Sequence, residues 1–194
     1  MEADWEFEVG PDAAGLAPPV IEAAWAGFID LQCAPEQAGD LPEADLLPGL
    51  AEALMKLNAM ASPVWTSKCD IWPQLEAGNF DPDELDVPPG CTAHAMGGYI
   101  DLLPRKVRQW TVPEMAADEC KRVCGLLRAV PLRCCRADLV IRRAYLSADP
   151  AHEEISGLGV TAYLTSCGAY AAEAVRTLQD ALVALTDAFV STRR

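Results

Sequence analysis

The sequence predicts an α+β fold: a single antiparallel sheet of about five strands, with long helices packed on one face. Three observations carry this. Several short stretches alternate apolar and polar residues, longer ones repeat apolar residues at helical spacing, and the order strand, strand, helix occurs twice. The chain has 194 residues, of which 51% are hydrophobic and 23% charged, enough apolar material for one core. Residues 1–194 are therefore read as a single domain.

WEFEV sets Trp5, Phe7 and Val9 against Glu6 and Glu8, the pattern of a half-buried strand. After a break rich in Pro and Gly at 10–19, Ile21, Ala24, Trp25, Phe28 and Leu31 are spaced for a helix. CAPEQAGDLPEAD follows as an acidic loop, then a second helix near 47–60 carries Leu50, Leu54 and Leu57. In SPVWTSKCDIW, strand alternation puts Trp65, Ser67, Cys69 and Ile71 on one face and Thr66, Lys68 and Asp70 on the other. Residues 73–93 are a loop rich in Pro and Asp, and GGYIDLLPR resumes as a strand that Pro104 ends.

Thr111 and Glu114 have capping-box spacing before a helix over about 113–129, with Pro113 in its first turn, where a missing N–H does no harm. LRCCRADLVIRRAYL and LGVTAYLTSC form a hairpin of strands. The final helix, 169–190, carries a stripe of Ala171, Val175, Leu178, Leu182, Leu185 and Phe189. Asp70 and Asp138 each precede a large aliphatic in the first strand of a β-β-α run, which is compatible with an internal duplication.

The formal net charge of −14 is unevenly spread. Residues 1–100 hold 18 Asp and Glu against only Lys56 and Lys68, a balance of −16; residues 101–194 hold 11 acids against 13 Lys and Arg, a balance of +2. Such an acidic field repels the phosphates of nucleic acid, so no nucleic-acid partner is expected. No stretch approaches the roughly 20 apolar residues of a membrane span. The opening MEADWEFEVGPD is acidic where a secretory signal is basic and then apolar, so a cytoplasmic protein is expected.

Eight cysteines in a reducing compartment are thiols or metal ligands rather than a disulfide framework. Cys120 and Cys124 share a helical stripe with Ala116, Val123 and Leu127, and Cys135 shares a strand face with Ala137, Leu139 and Ile141, so core packing is the expectation for all three. Cys134 falls on the opposite, polar face. The alternative is a zinc or thiol redox site: Cys91 and His94 form a C-x-x-H knuckle that Cys120 and Cys124 would complete as Cys3His. No cofactor other than that zinc is expected.

Catalytic signatures are absent: neither G-x-S-x-G, a phosphate-cradling Gly loop nor H-E-x-x-H occurs. A non-enzymatic binding protein is expected, adaptor-like or immunity-like, whose acidic surface engages a basic protein, with self-association as the other partner reading. Two groups of residues are candidates for that contact. Lys68, Asp70, Arg136, Asp138 and Arg142 gather on the polar sheet face with Trp72 beside them, and Asp81, Asp83, Glu84 and Asp86 populate the acidic loop.

Overall fold

In a computed structural model the described residues are 1–9, 29–75, 80–81, 83–85, 87, 94–106, 110–145 and 156–191. The alternating stretches become five strands: β1 (Glu2–Glu8), β2 (Val64–Trp72), β3 (His94–Pro104), β4 (Cys135–Tyr145) and β5 (Ser156–Gly168). The helices are α1 (Pro42–Leu46), α2 (Leu50–Asn58), α3 (Pro113–Arg128) and α4 (Ala171–Val190), with a 3-10 helix at Pro35–Asp40. The expected helix on Ile21, Ala24, Trp25 and Phe28 lies outside the described residues, as do Asp86, Cys91 and the loop between β4 and β5.

The expected acidic loop at 33–45 is instead helical in two short pieces. Pro35 and Pro42 each occupy a first-turn position, where the fixed φ of proline favours helix entry. The helix begins one residue later than the capping-box spacing implies. Pro113 is the first helical residue, so Val112 rather than Thr111 is the cap, and it makes no side-chain cap bond.

One five-stranded sheet runs in the order β1-β4-β5-β3-β2. The purely antiparallel sheet expected from sequence is corrected at β1, which pairs with β4 in parallel while every other pair is antiparallel. Alternation has period two in both arrangements, so it carries no information on strand direction.

Side chains directly opposite across the strands share a face, and this divides the sheet cleanly. Ala3, Ala137, Leu139, Ile141, Ala162, Leu164 and Ile100 join one core with the buried stripes of α3 and α4. Ala116, Cys120, Val123, Cys124 and Leu127 supply the α3 stripe, and Leu178, Leu182, Leu185 and Phe189 the α4 stripe. Ala171 is exposed and Val175 half-buried, so the α4 contact is completed by the small residues Ala174, Ala181 and Ala188. Arg122 clamps the two helices, bonding Glu119 and donating to the Ala188 carbonyl at 2.8 Å.

A register shift between Thr66 and Lys68 changes one expected face. A bulge residue reverses the alternation. Thr66 therefore lies opposite Leu102 on the core side, where its Oγ1 accepts from the buried Asn58 side chain at 2.7 Å. Trp65 lies opposite Leu103 on the other side and packs with Leu103 and Ala144 in a small separate cluster.

The two β-β-α runs meet at the middle of the sheet with matched register. Asp70 faces Tyr99 as Asp138 faces Tyr163, and Tyr99 faces Tyr163 across the β3–β5 seam. Lys68 faces Asp101 as Arg136 faces Thr165. The strand pairs are thus related by a local two-fold axis passing between Tyr99 and Tyr163.

Candidate functional site: the open face of the sheet

The face turned away from α3 and α4, the open face, carries most of the sheet's charge, yet Trp65, Leu103, Val140, Ala144, Asp101 and Thr161 on it are buried. This face is accessible at the half-buried Lys68, Asp70, Trp72, Tyr99, Tyr163, Arg136, Asp138 and Arg142, with the exposed Glu2, Asp4 and Glu6 of β1. Its central row, read across all five strands, is Asp4, Asp138, Tyr163, Tyr99 and Asp70. One pleat away runs Glu6, Val140, Thr161, Asp101 and Lys68, and on the other side Glu2, Arg136, Thr165, Gly97 and Trp72. Lys68, Asp70, Trp72, Arg136, Asp138 and Arg142 therefore share this face, and Asp101 joins them.

Three aromatic rings form the centre. Trp72 and Tyr99 have ring centroids 5.9 Å apart, Tyr99 and Tyr163 5.9 Å, and Trp72 and Tyr163 6.4 Å. Each ring is half-buried, presenting an amphipathic surface. The Trp72 indole N–H donates to Asp70 Oδ2 at 3.1 Å, which fixes the ring over the sheet.

The cations here are held by neighbouring carboxylates. Arg136 Nε bonds Asp138 Oδ1 at 2.8 Å, and its Nη1 lies 3.6 Å from Glu84. Arg142 Nη2 lies 2.7 Å from Glu8, and its Nη1 donates to the Tyr163 hydroxyl at 2.9 Å. Lys68 faces Asp101 across β2 and β3. Among the described residues, eight carboxylates, Glu2, Asp4, Glu6, Glu8, Asp70, Glu84, Asp101 and Asp138, stand against four cations, Lys68, Arg136, Arg142 and Arg128, whose Nη2 lies 3.5 Å from Asp4 Oδ1, a balance of −4.

Asp101 is buried among these groups and accepts from the Thr161 hydroxyl at 2.5 Å. Burial raises its pKa, while that hydrogen bond and the charges of Lys68 and Arg142 work against the rise. Burial raises Asp138 in the same way against its bond to Arg136. Tyr99 is pushed up to about 12, first by burial and then by Asp101 and Asp70, so its hydroxyl stays protonated and able to donate.

Asp4 and Asp70, at the two ends of the central row, also occupy the sheet edges. Asp4 Oδ1 accepts the Trp5 N–H at 3.0 Å, and Asp70 Oδ1 accepts the Ile71 N–H at 2.8 Å. These bonds take up N–H groups on both edge strands, which disfavours addition of a further strand.

The acidic loop contributes unevenly. Glu84 reaches Arg136; Asp81 and Asp83 are exposed, and Asp81 Oδ1 receives the Asp83 N–H at 2.9 Å. The turn is anchored by Leu85, which packs with Ala95 and Cys167 beside Cys134.

Three members of the thiol constellation, His94, Cys120 and Cys124, are among the described residues. His94, expected in a loop, is the exposed first residue of β3, whereas Cys120 and Cys124 are fully buried under α3. Among the described residues no three His, Cys, Asp or Glu side chains are grouped to hold a metal. Burial pushes Cys124 and Cys135 up to about 11 and raises Cys120 further, which suppresses the nucleophilic thiolate. Cys124 donates to the Asp4 carbonyl at 3.3 Å. A small, partly open pocket lined by Leu47, Leu50, Ile71, Ile100, Leu178 and Leu182 is almost wholly apolar and offers nothing to orient a reacting group.

Tyr99, Tyr163, Thr161, Glu8 and Asp4 belong to the open face but are not singled out by the sequence reading. Their spacing within each strand was available, since Tyr99 and Asp101 are two apart, as are Thr161 and Tyr163. Their convergence depends on the β3–β5 register, which no local pattern encodes.

An α+β sheet with one helix-covered face and one acidic, aromatic face is the class of protein these residues define. The chain matches no protein-family model, no curated protein and no solved structure in the comparisons made.

Proposed function

We propose that the protein is a non-enzymatic binding protein whose open sheet face receives a basic segment of a partner protein. The observation that carries this is the composition of that face: carboxylates in excess by four among the described residues, internally paired cations, and three half-buried rings at the centre. Tyr163 already carries Arg142, whose guanidinium lies 5.5 Å from its ring centroid, so a partner's arginine or lysine would lie on Trp72 and Tyr99. There it gains ring quadrupole and carboxylate attraction worth about 1–2 kcal/mol where the contact is desolvated. Surrounding acids steer encounter and fix orientation.

The same charges oppose self-association through this face, because two copies would set carboxylates against carboxylates. The guarded edges favour docking on the face over strand addition. An adaptor, or an immunity-like inhibitor covering a basic surface, fits this description. A cytoplasmic setting, in which the thiols stay reduced, belongs to the same reading. Among the described residues no helix is long and apolar enough to cross a membrane.

The probe is a fluorescein-labelled peptide in which Arg alternates with Ala, followed by anisotropy. Trp72→Ala and Asp70→Asn are each expected to weaken binding by about threefold to tenfold, and raising salt through the screening range by about tenfold. Glu52→Gln, on α2, should leave the affinity unchanged. Equal affinity for Asp70→Asn and the parent protein, or binding indifferent to salt, contradicts the proposal.

A further inference from the structure

Two cysteines at the end of the open face remain outside the binding reading. Cys135 and Ser166 are paired across β4 and β5, and the next position outward sets Cys134 beside Cys167, whose N–H donates to the Cys134 carbonyl at 2.9 Å. The two side chains meet in the same small cluster around Leu85 and Ala95. Both face the Leu85 cluster, whereas Cys135 faces the main core and does not compete for either sulfur.

We propose that Cys134 and Cys167 are a redox modification site that closes to a reversible intramolecular disulfide with a low-molecular-weight disulfide as oxidant. The direct backbone bond from the Cys167 N–H to the Cys134 carbonyl holds the two residues side by side, as a disulfide, which spans Cα separations of about 4.4–6.8 Å, requires. Cys134 is half-buried and is the accessible entry thiol, while Cys167 is buried behind it. Cys134 also has φ 57°, the one positive value at a non-glycine among the described residues, and sits just before the regular ladder begins.

The chemistry balances as two exchanges. Cys134 gives up its proton, and its thiolate attacks one sulfur of the small disulfide, forming a mixed disulfide and expelling one small thiolate. Cys167 then loses its proton and attacks Cys134 Sγ, expelling the second small thiolate. The protein pair is oxidised by two electrons, the small disulfide is reduced by two, and its two thiolates take up the two protons released.

Closure has a consequence for the neighbouring turn. The Cys167 thiol donates to the Leu85 carbonyl at 3.9 Å, and that proton is lost when the bond forms. Leu85 anchors the turn from which Glu84 reaches Arg136, so oxidation alters one rim of the open face.

The test treats the full chain with oxidised glutathione, quenches in acid, alkylates under denaturing conditions and maps the peptides by mass. The expected product is a linked peptide pair containing Cys134 and Cys167, about 2 Da lighter than its reduced parts and restored by a thiol reductant. In Cys134→Ser the linked pair is absent. Recovery of both cysteines fully alkylated, or linkage of either to a different cysteine, overturns the proposal. No binding partner enters the measurement, so a negative result here and a negative result with the basic peptide are separate findings.

Discussion

In Gly98→Ala the protein is expected to lose about 3 kcal/mol or more of stability, read as a lower urea midpoint. Gly98 lies on the core side of β3, opposite Ile71. A Cβ there would stand 2.5 Å from the Asp70 carbonyl oxygen and 2.7 Å from Ile71 Cδ1. The side-chain carbon can shift, but the carbonyl belongs to the β2 backbone. The strand pair must therefore spread, and it would carry Asp70 and Trp72 with it. Peptide binding should weaken in parallel with stability. Gly125→Ala is the internal control: a Cβ on this exposed position of α3 meets nothing within 4 Å, so replacing a helical glycine should stabilise by about 0.5–1 kcal/mol. A Gly98→Ala protein as stable as the parent would show that β2 and β3 are not held at this spacing.

Alkaline pH is expected to unfold the protein steeply, because the buried thiols stay protonated only in the folded chain. Burial pushes Cys69 and Cys167 up to about 12 and Cys124 and Cys135 up to about 11, and raises Cys120 as well, from an ordinary thiol value of 9.0. A folded value above the unfolded one contributes stability that is complete below the unfolded pKa and is lost as pH rises through the folded one. Between those limits each such thiol removes up to about 1.4 kcal/mol per pH unit. Several acting in the same direction make the loss steep across that range. Urea midpoints should therefore be flat up to the thiol range and then fall sharply. Cys120→Ala should fall less steeply, while losing some packing at neutral pH. A midpoint constant across the thiol range would place these sulfurs in water.

The cysteine-rich stretch shows what the sequence made legible. Cys120 and Cys124 repeat at i, i+4 within an apolar stripe, and Cys135 alternates with Ala137, Leu139 and Ile141; both periods are local, and both are kept in the structure. The strands β2 to β5 and the helices α2, α3 and α4 were readable for the same reason. What local patterns do not hold is long-range pairing. β1 alternates equally well in a parallel or an antiparallel setting, so its place beside β4 was not legible. The bulge near Ser67 is one residue whose insertion reverses the faces of Trp65 and Thr66, and both residue types tolerate either face. The open face suffers the same limit. Lys68, Asp70, Arg136 and Asp138 could be placed on it strand by strand, whereas the ring cluster needed Tyr99 and Tyr163 to be set opposite each other across β3 and β5.

The measurement closest to the central claim follows the indole N–H resonances of the protein by two-dimensional NMR while the Arg-Ala peptide is added. Trp72 donates its indole N–H to Asp70 within the proposed contact, while Trp110 is buried in the core and Trp65 packs with Leu103 and Ala144. The account predicts that the Trp72 signal moves with peptide concentration and those of Trp65 and Trp110 stay in place. A Trp72 signal that stays fixed while the peptide binds would put the basic partner elsewhere on the molecule and contradict the account.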